Sequence, residues 1–249
     1  MAVSVTLAAG AVIGLLLGLL GAGGSIIAVP VLTLAAGLPV REAIATALVV
    51  VLCSSLSAVI PRLRSGVRWS TAAIMIAAGA PCTAAGATLG RGFDEQALAF
   101  GFVGVAALAV FFLLRAPNGT ATRADAGGLG RLARTILAGA IVGTLTGLLG
   151  VGGGFLIVPA LTLLLGLPMT VAIGTSLVVI GANALTGLVA QLSTVSLDWM
   201  LTGAFAATTM ATAAIASRSG MDVPERALRR AFGSLVLAVS TLMLLAAFR

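Results

Sequence analysis

The sequence predicts an all-α polytopic integral membrane protein built from two copies of one helical unit. Three observations predict it. Of 249 residues, 60% are hydrophobic and only 8% charged, too few polar groups to clothe a water-soluble chain of this size. Apolar runs of roughly 20 residues, the length that crosses ~30 Å of hydrocarbon as a helix, or somewhat shorter, recur from end to end. The third is an internal repeat. GLLLGLLGAGGSIIAVPVLTLAAGLPVREAIATALVVV, from Gly14 to Val51, returns as GTLTGLLGVGGGFLIVPALTLLLGLPMTVAIGTSLVVI, from Gly143 to Ile180.

The offset of that repeat is 129 (143 minus 14) and it keeps Gly18/Gly147, Gly21/Gly150, Gly24/Gly153, Pro30/Pro159, Gly37/Gly166, Pro39/Pro168 and Thr46/Thr175 in register. Low complexity alone does not hold Gly and Pro in phase. Farther on, Trp69/Trp199, Gly90/Gly220 and Phe102/Phe232 align at an offset of 130 (199 minus 69). The chain divides into a first repeat, 1–114, a linker, 115–134, and a second repeat, 135–249. The linker is the one long polar stretch, basic and rich in Gly and Ala.

Five helical segments are predicted per repeat: Ser4 to Leu20, Ser25 to Gly37, Ala43 to Ile60, Thr71 to Leu89 and Ala97 to Leu114, then Thr135 to Leu149, Gly154 to Gly166, Val171 to Gln191, Leu201 to Ser217 and Ala227 to Phe248. The second of each, near Ser25 and near Gly154, reaches only about 20 Å at ~1.5 Å per residue. The first two segments of each repeat therefore read as short and broken, or as a re-entrant hairpin, giving eight to ten membrane segments. Trp69 and Trp199 read as interface anchors.

Loop charge reverses between the repeats. The loop Arg62 to Arg68 holds three Arg and the next, RGFDEQ, is acidic; in the second repeat QLSTVSLDW carries only Asp198, and SRSGMDVPERALRR carries Arg218, Arg226, Arg229 and Arg230. Under the positive-inside rule, equivalent loops then lie on opposite sides, as two units of inverted topology require. This orientation places the linker in the cytoplasm and both termini outside, in a plasma membrane of bacterial type. The formal charge of +7 comes from scattered Arg, which reads as orientation rather than nucleic-acid binding. An apolar N-terminus without a basic leader, recurring later in the chain, is expected to stay attached.

Candidate binding residues cluster at the glycines. Each Gly costs a helix roughly 1 kcal/mol relative to Ala, so Gly21, Gly23 and Gly24, and again Gly150, Gly152 and Gly153, predict a break inside the membrane. The short helices beginning at Ser25 and Gly154 would aim N-terminal amides and positive dipole ends into it. Two such ends make an anion site without any buried cation. Thr46, Ser54 and Ser55, with Thr175, Ser176 and Asn183, line it or else bond to their own helix turns and neighbours. The Gly14-xxx-Gly18 and Gly143-xxx-Gly147 spacings also pack helices closely whatever the protein does. Neither a metal nor a cofactor is expected.

The marks GLLGAGGSIIAVPVL and GLLGVGGGFLIVPAL resemble those of the sulfite exporter family, TauE/SafE, and the GLPVREAIATALVVV and GLPMTVAIGTSLVVI that follow extend the likeness over both repeats. The resemblance implies a transporter of small anions, sulfite or related organosulfur anions. Ser25 departs from its counterpart Gly154. With no acid or base expected within a span, coupling through a membrane carboxylate is disfavoured, and potential-driven export by alternating access is the expectation. The expected partners are a small anionic solute and the bilayer, with an oligomer open and nucleic acid excluded. The chain is not expected to be an enzyme. A thiol relay through Cys53 and Cys82, or a non-transporting scaffold, are the alternatives.

Overall fold

The structure, a computed structural model, describes residues 2–22, 28–29, 32–33, 37–63, 66–90, 101, 104–105, 107–108, 111, 128–149, 154–191, 197–220 and 223–247. Among them are eight α-helices: α1 Ala2–Leu20, α2 Val40–Val59, α3 Trp69–Gly90, α4 Gly128–Leu149, α5 Gly154–Leu163, α6 Met169–Gln191, α7 Trp199–Ser219 and α8 Glu225–Ala247. A 3₁₀ turn, Ile60–Arg62, extends α2. No strand occurs among the described residues.

The expected segments match these helices to within a few residues, apart from three. α4 starts at Gly128 rather than near Thr135, because GLGRLAR continues the helix into the basic stretch. The expected segments around Ser25 and Ala97 lie largely outside the described residues. Among the described residues three helices are long and apolar enough to cross a membrane, over Glu42–Arg62, Met169–Val189 and Trp199–Ser219. Leu129, Val189, Met200 and Ile215 all point outward, as bulky apolar side chains do when lipid is the solvent. Trp69 and Trp199 are exposed at helix starts.

The repeat is visible in local structure. Gly37 (φ +67°) and Gly166 (φ +65°) adopt the left-handed conformation that Gly tolerates without a Cβ penalty. The amide after each returns to a carbonyl six residues earlier, Leu38 to Leu32 at 3.3 Å and Leu167 to Leu161 at 3.1 Å. Pro39 and Pro168 then each accept the first bond of the next helix, from Ala43 and Ala172, both at 2.9 Å. The same Gly-Leu-Pro turn is thus built twice.

Helix packing follows the glycines. Gly10 faces Phe205, Gly14 faces Thr209 and Gly18 faces Ala213, so α1 and α7 run parallel with backbones in contact. Gly139 faces Met75 and Gly143 faces Gly79, so α4 and α3 are likewise parallel. α2 and α6 cross antiparallel, Ser55 against Gly181 and Leu48 against Gly187. Between these seams sits a core of Leu17, Leu20, Met75, Leu156, Ile157, Leu161, Ile173, Leu177 and Phe232, each at most 5% exposed.

Candidate functional site

The first two turns of α6 form the hub where the repeats meet. α1 ends at a break where Gly21 takes φ +63°, its amide still bonded to Leu17 O at 2.8 Å. Gly21 packs against Ile173 and Ser176, leaving no room for a side chain. Its carbonyl, freed by the break, accepts a hydrogen bond from Ser176 Oγ at 2.8 Å, and the same hydroxyl lies 2.8 Å from Ile173 O. One hydroxyl hydrogen serves two carbonyls, one from each repeat.

Thr175, wholly buried, donates to Val171 O at 2.7 Å and accepts from the Arg68 backbone amide at 3.1 Å. It ties the segment after α2 to α6. Gly66 and Gly174 meet backbone to backbone beside it. Glu225, at the start of α8, accepts from the Met169 amide at 3.2 Å and pairs with Arg229 at 2.9 Å, so a carboxylate caps the N-terminus of α6.

Of the other expected residues, Thr46, Ser54 and Ser55 are buried. Ser54 bonds to Val50 O at 2.6 Å and Ser55 to Leu52 O at 2.9 Å, each within its own helix. Gly154 opens α5 and is buried, and Asn183 is half-buried on α6. Gly23, Gly24, Ser25, Gly150, Gly152 and Gly153 lie outside the described residues. The structure joins Gly21 to Ser176 directly and brings Thr175 to the same two turns. A cavity of about 320 Å³ lies elsewhere, lined by Arg134, Leu137, Leu163 and Leu164. None of the expected residues among those described lines it.

Arg62 lies buried beside the start of α6. Read as a loop charge, it is only 1% exposed. The 3₁₀ turn carries α2 past Pro61 and tucks the side chain between helix ends, and Gly220 leaves it room, since a Cβ there would lie 3.0 Å from Nη2. Nε donates to Ser217 Oγ at 2.9 Å, Nη2 to Ser217 O at 3.2 Å and Gly18 O at 3.5 Å, and Nη1 to Thr170 O at 3.4 Å. Ser217 Oγ in turn donates to Ala58 O at 2.6 Å. Its acceptors are helix carbonyls and one hydroxyl, which carry no sequence signature of an ion pair. Among the described residues no group of three or more His, Cys, Asp or Glu is placed to hold a metal ion.

Apolar helices facing outward, glycine seams and a broken helix end bonded across the repeats define a multi-pass helical membrane protein. The model of the sulfite exporter TauE/SafE family matches residues 6–243, and the chain belongs to that family. It is 32% identical over 95% of its length to a probable membrane transporter protein of Xylella fastidiosa strain Temecula1, of which the match covers 92%. The corresponding protein of strain 9a5c matches equally, at 32% identity, 95% of this chain and 92% of that one. A probable membrane transporter protein of Bacillus subtilis, YunE, is 42% identical over 60 residues, 24% of this chain and 22% of its own. No solved structure matches.

Proposed function

We propose that this transporter moves a small anion, sulfite or a related organosulfur anion, by alternating access between two inverted repeats. The observation that carries the reading is the bond from Ser176 Oγ to Gly21 O, which seats the broken helix end of one repeat on α6 of the other. Irregular backbone at membrane depth is tolerated where it meets protein or lines a path, and amides at such breaks suit an anion. The seams support the inversion. Gly14 against Thr209 corresponds to Gly143 against Gly79, at offsets of 129 (143 minus 14) and 130 (209 minus 79). α2 and α6, likewise equivalent by sequence, cross antiparallel, as a two-fold axis in the membrane plane requires.

Binding falls to Gly21, Gly23, Gly24, Ser25, Gly150, Gly152, Gly153 and Gly154 at the breaks, with Thr46, Ser54, Thr175, Ser176 and Asn183 around them. The Arg62 turn, the end of α7 and the start of α8 gather at one end of the molecule, which supports placing both Arg-rich loops in the cytoplasm, with the linker there and the termini outside. Cys53 and Cys82 are free thiols on α2 and α3. α2 packs chiefly on α6 and α7, and α3 chiefly on α4, an arrangement that does not favour a thiol relay.

Purified protein in liposomes, with a K⁺ diffusion potential set by valinomycin, tests this. Flux of sulfite, sulfate, acetate or a small sulfonate is expected to rise with the potential and to be lost in Gly24→Leu and Gly153→Leu. Potential-independent flux would indicate electroneutral coupling. Absence of flux for all four anions from folded protein would remove the reading.

A further inference from the structure

Arg62 is the buried charge that the helix-end reading leaves unused. A cation taken out of water needs compensation by an opposite charge or by a full set of hydrogen bonds. Among the described residues Arg62 has neither in full. Each of its contacts is to a neutral oxygen, two of the four at 3.4 Å or longer. A guanidinium has five N–H groups. Nε and both Nη2 hydrogens are used, Nη1 has one acceptor, and its second hydrogen has none among the described residues. The ion pair found there, Arg229 with Glu225, does not include it.

The surroundings offset the charge with partial charges alone. Gly18 lies in the last turn of α1 and Ser217 in the last turn of α7, so their carbonyls present the negative ends of two helix dipoles. Those partial charges stabilise the guanidinium while supplying no formal counter-charge. Gly18 is also three residues before Gly21, about 4.5 Å of helix rise from the break. The acceptors come from both repeats, Gly18 from the first, Thr170 and Ser217 from the second. A relative movement of the repeats therefore withdraws carbonyls from the guanidinium and opens its fork.

We propose that Arg62 meets the transported anion directly, at the end of the path where α1, α2 and α7 finish and α6 begins, and that it selects oxyanions. The planar fork matches two oxygens on one centre, as in sulfite, a sulfonate or a carboxylate, better than it matches a halide. In the closed arrangement, helix carbonyls occupy the places that the anion's oxygens take when that end opens. This assignment rests on the anion-carrier reading and adds to it a residue and a substrate class.

The test is initial sulfite flux against concentration in proteoliposomes, with iodide flux alongside, for the wild type, Arg62→Gln and Arg62→Lys. Arg62→Gln is expected to raise the sulfite KM by roughly tenfold or more, as loss of a buried charge partner does. Its maximal flux should change less, and its preference for sulfite over iodide should disappear. Arg62→Lys, which keeps the charge and loses the fork, should fall between. An unchanged KM with altered maximal flux would overturn the proposal and make Arg62 a clamp between helix ends. Where Arg62→Gln is not recovered as monodisperse protein, Arg62→Lys decides by the same split. A folded wild type that moves no sulfite removes the carrier reading for this anion and the assignment with it. An active wild type with variants of unchanged KM removes the assignment alone.

Discussion

The α1/α7 and α4/α3 seams use glycines at matching positions of the repeat and face them with different partners. In the first, Gly10 and Gly14 lie against Phe205, Thr209 and Thr212, so one helix contributes the small residues and the other contributes bulk. In the second, Gly139 and Gly143 lie against Met75, Ala78 and Gly79, and glycine meets glycine. Duplication has kept the backbone approach and let the side chains diverge. Without a hydrophobic force between helices in lipid, that approach is what dispersion contacts require. The divergence leaves the two seams with different tolerance at the facing position.

The largest effect expected is from a bulky side chain on the shared glycines. At Gly14 a Cβ already overlaps Thr209 O and Thr212 Oγ1, and at Gly143 it overlaps the backbone of Gly79. Overpacking by extra methylenes costs about 1–3 kcal/mol where neighbours can shift, and backbone cannot shift as a side chain does. Gly14→Leu and Gly143→Leu should both abolish recovery of monodisperse protein in mild detergent, followed by size-exclusion chromatography. Survival of Gly143→Leu alone would show that the glycine-on-glycine seam can open, breaking the equivalence.

A smaller effect should separate folding from function at the hub. Ser176→Ala removes the hydrogen bond to Gly21 O and leaves the break seated by Ile173. Loss of about 1 kcal/mol is expected from one such bond, seen as a modest fall in the unfolding temperature in detergent. Sulfite flux should fall more than stability does, since the bond fixes the break that the reading assigns to the solute. Equal and slight losses in both would reduce Ser176 to packing.

Much of the fold was legible because the bilayer imposes length on each helix, so α2, α6 and α7 stand out as apolar runs. The break was legible too: Gly21 lies in a glycine cluster and takes a positive φ that other residues avoid. Its partner was identified as a candidate, but the bond was not, because Ser176 lies 155 residues away. Ser54 and Ser55 show the opposite limit, since a hydroxyl in a helix satisfies itself on the preceding turn with no outward sign. The burial of Arg62 was not legible, for a physical reason. An Arg paired with a carboxylate leaves a second charge in the sequence, whereas carbonyl acceptors are present on every residue. The available hint was Pro61, which placed Arg62 immediately after the apolar run.

The smallest expected effect bears most directly on the difference between the seams. A Cβ at Gly79 would come within 3.3 Å of Gly139 O and 3.9 Å of Gly139 C, with nothing else within 4 Å. A Cβ at Gly143 instead overlaps Gly79 itself. The two glycines share one contact, yet only one of them needs to be glycine at the present backbone separation. Thr209, which occupies the position matching Gly79, agrees with this, because there the facing residue carries a side chain while Gly14 opposite does not. Gly79→Ala should therefore cost well under half of what Gly143→Ala costs, and less than the about 1 kcal/mol that Ala gains over Gly in helix propensity could offset. Parallel melting curves of the two alanine variants check it. Equal losses would mean that the α4/α3 seam depends on both glycines and is tighter than its counterpart, whereas a stabilised Gly79→Ala would mean that the second seam can take the same one-sided form as the first.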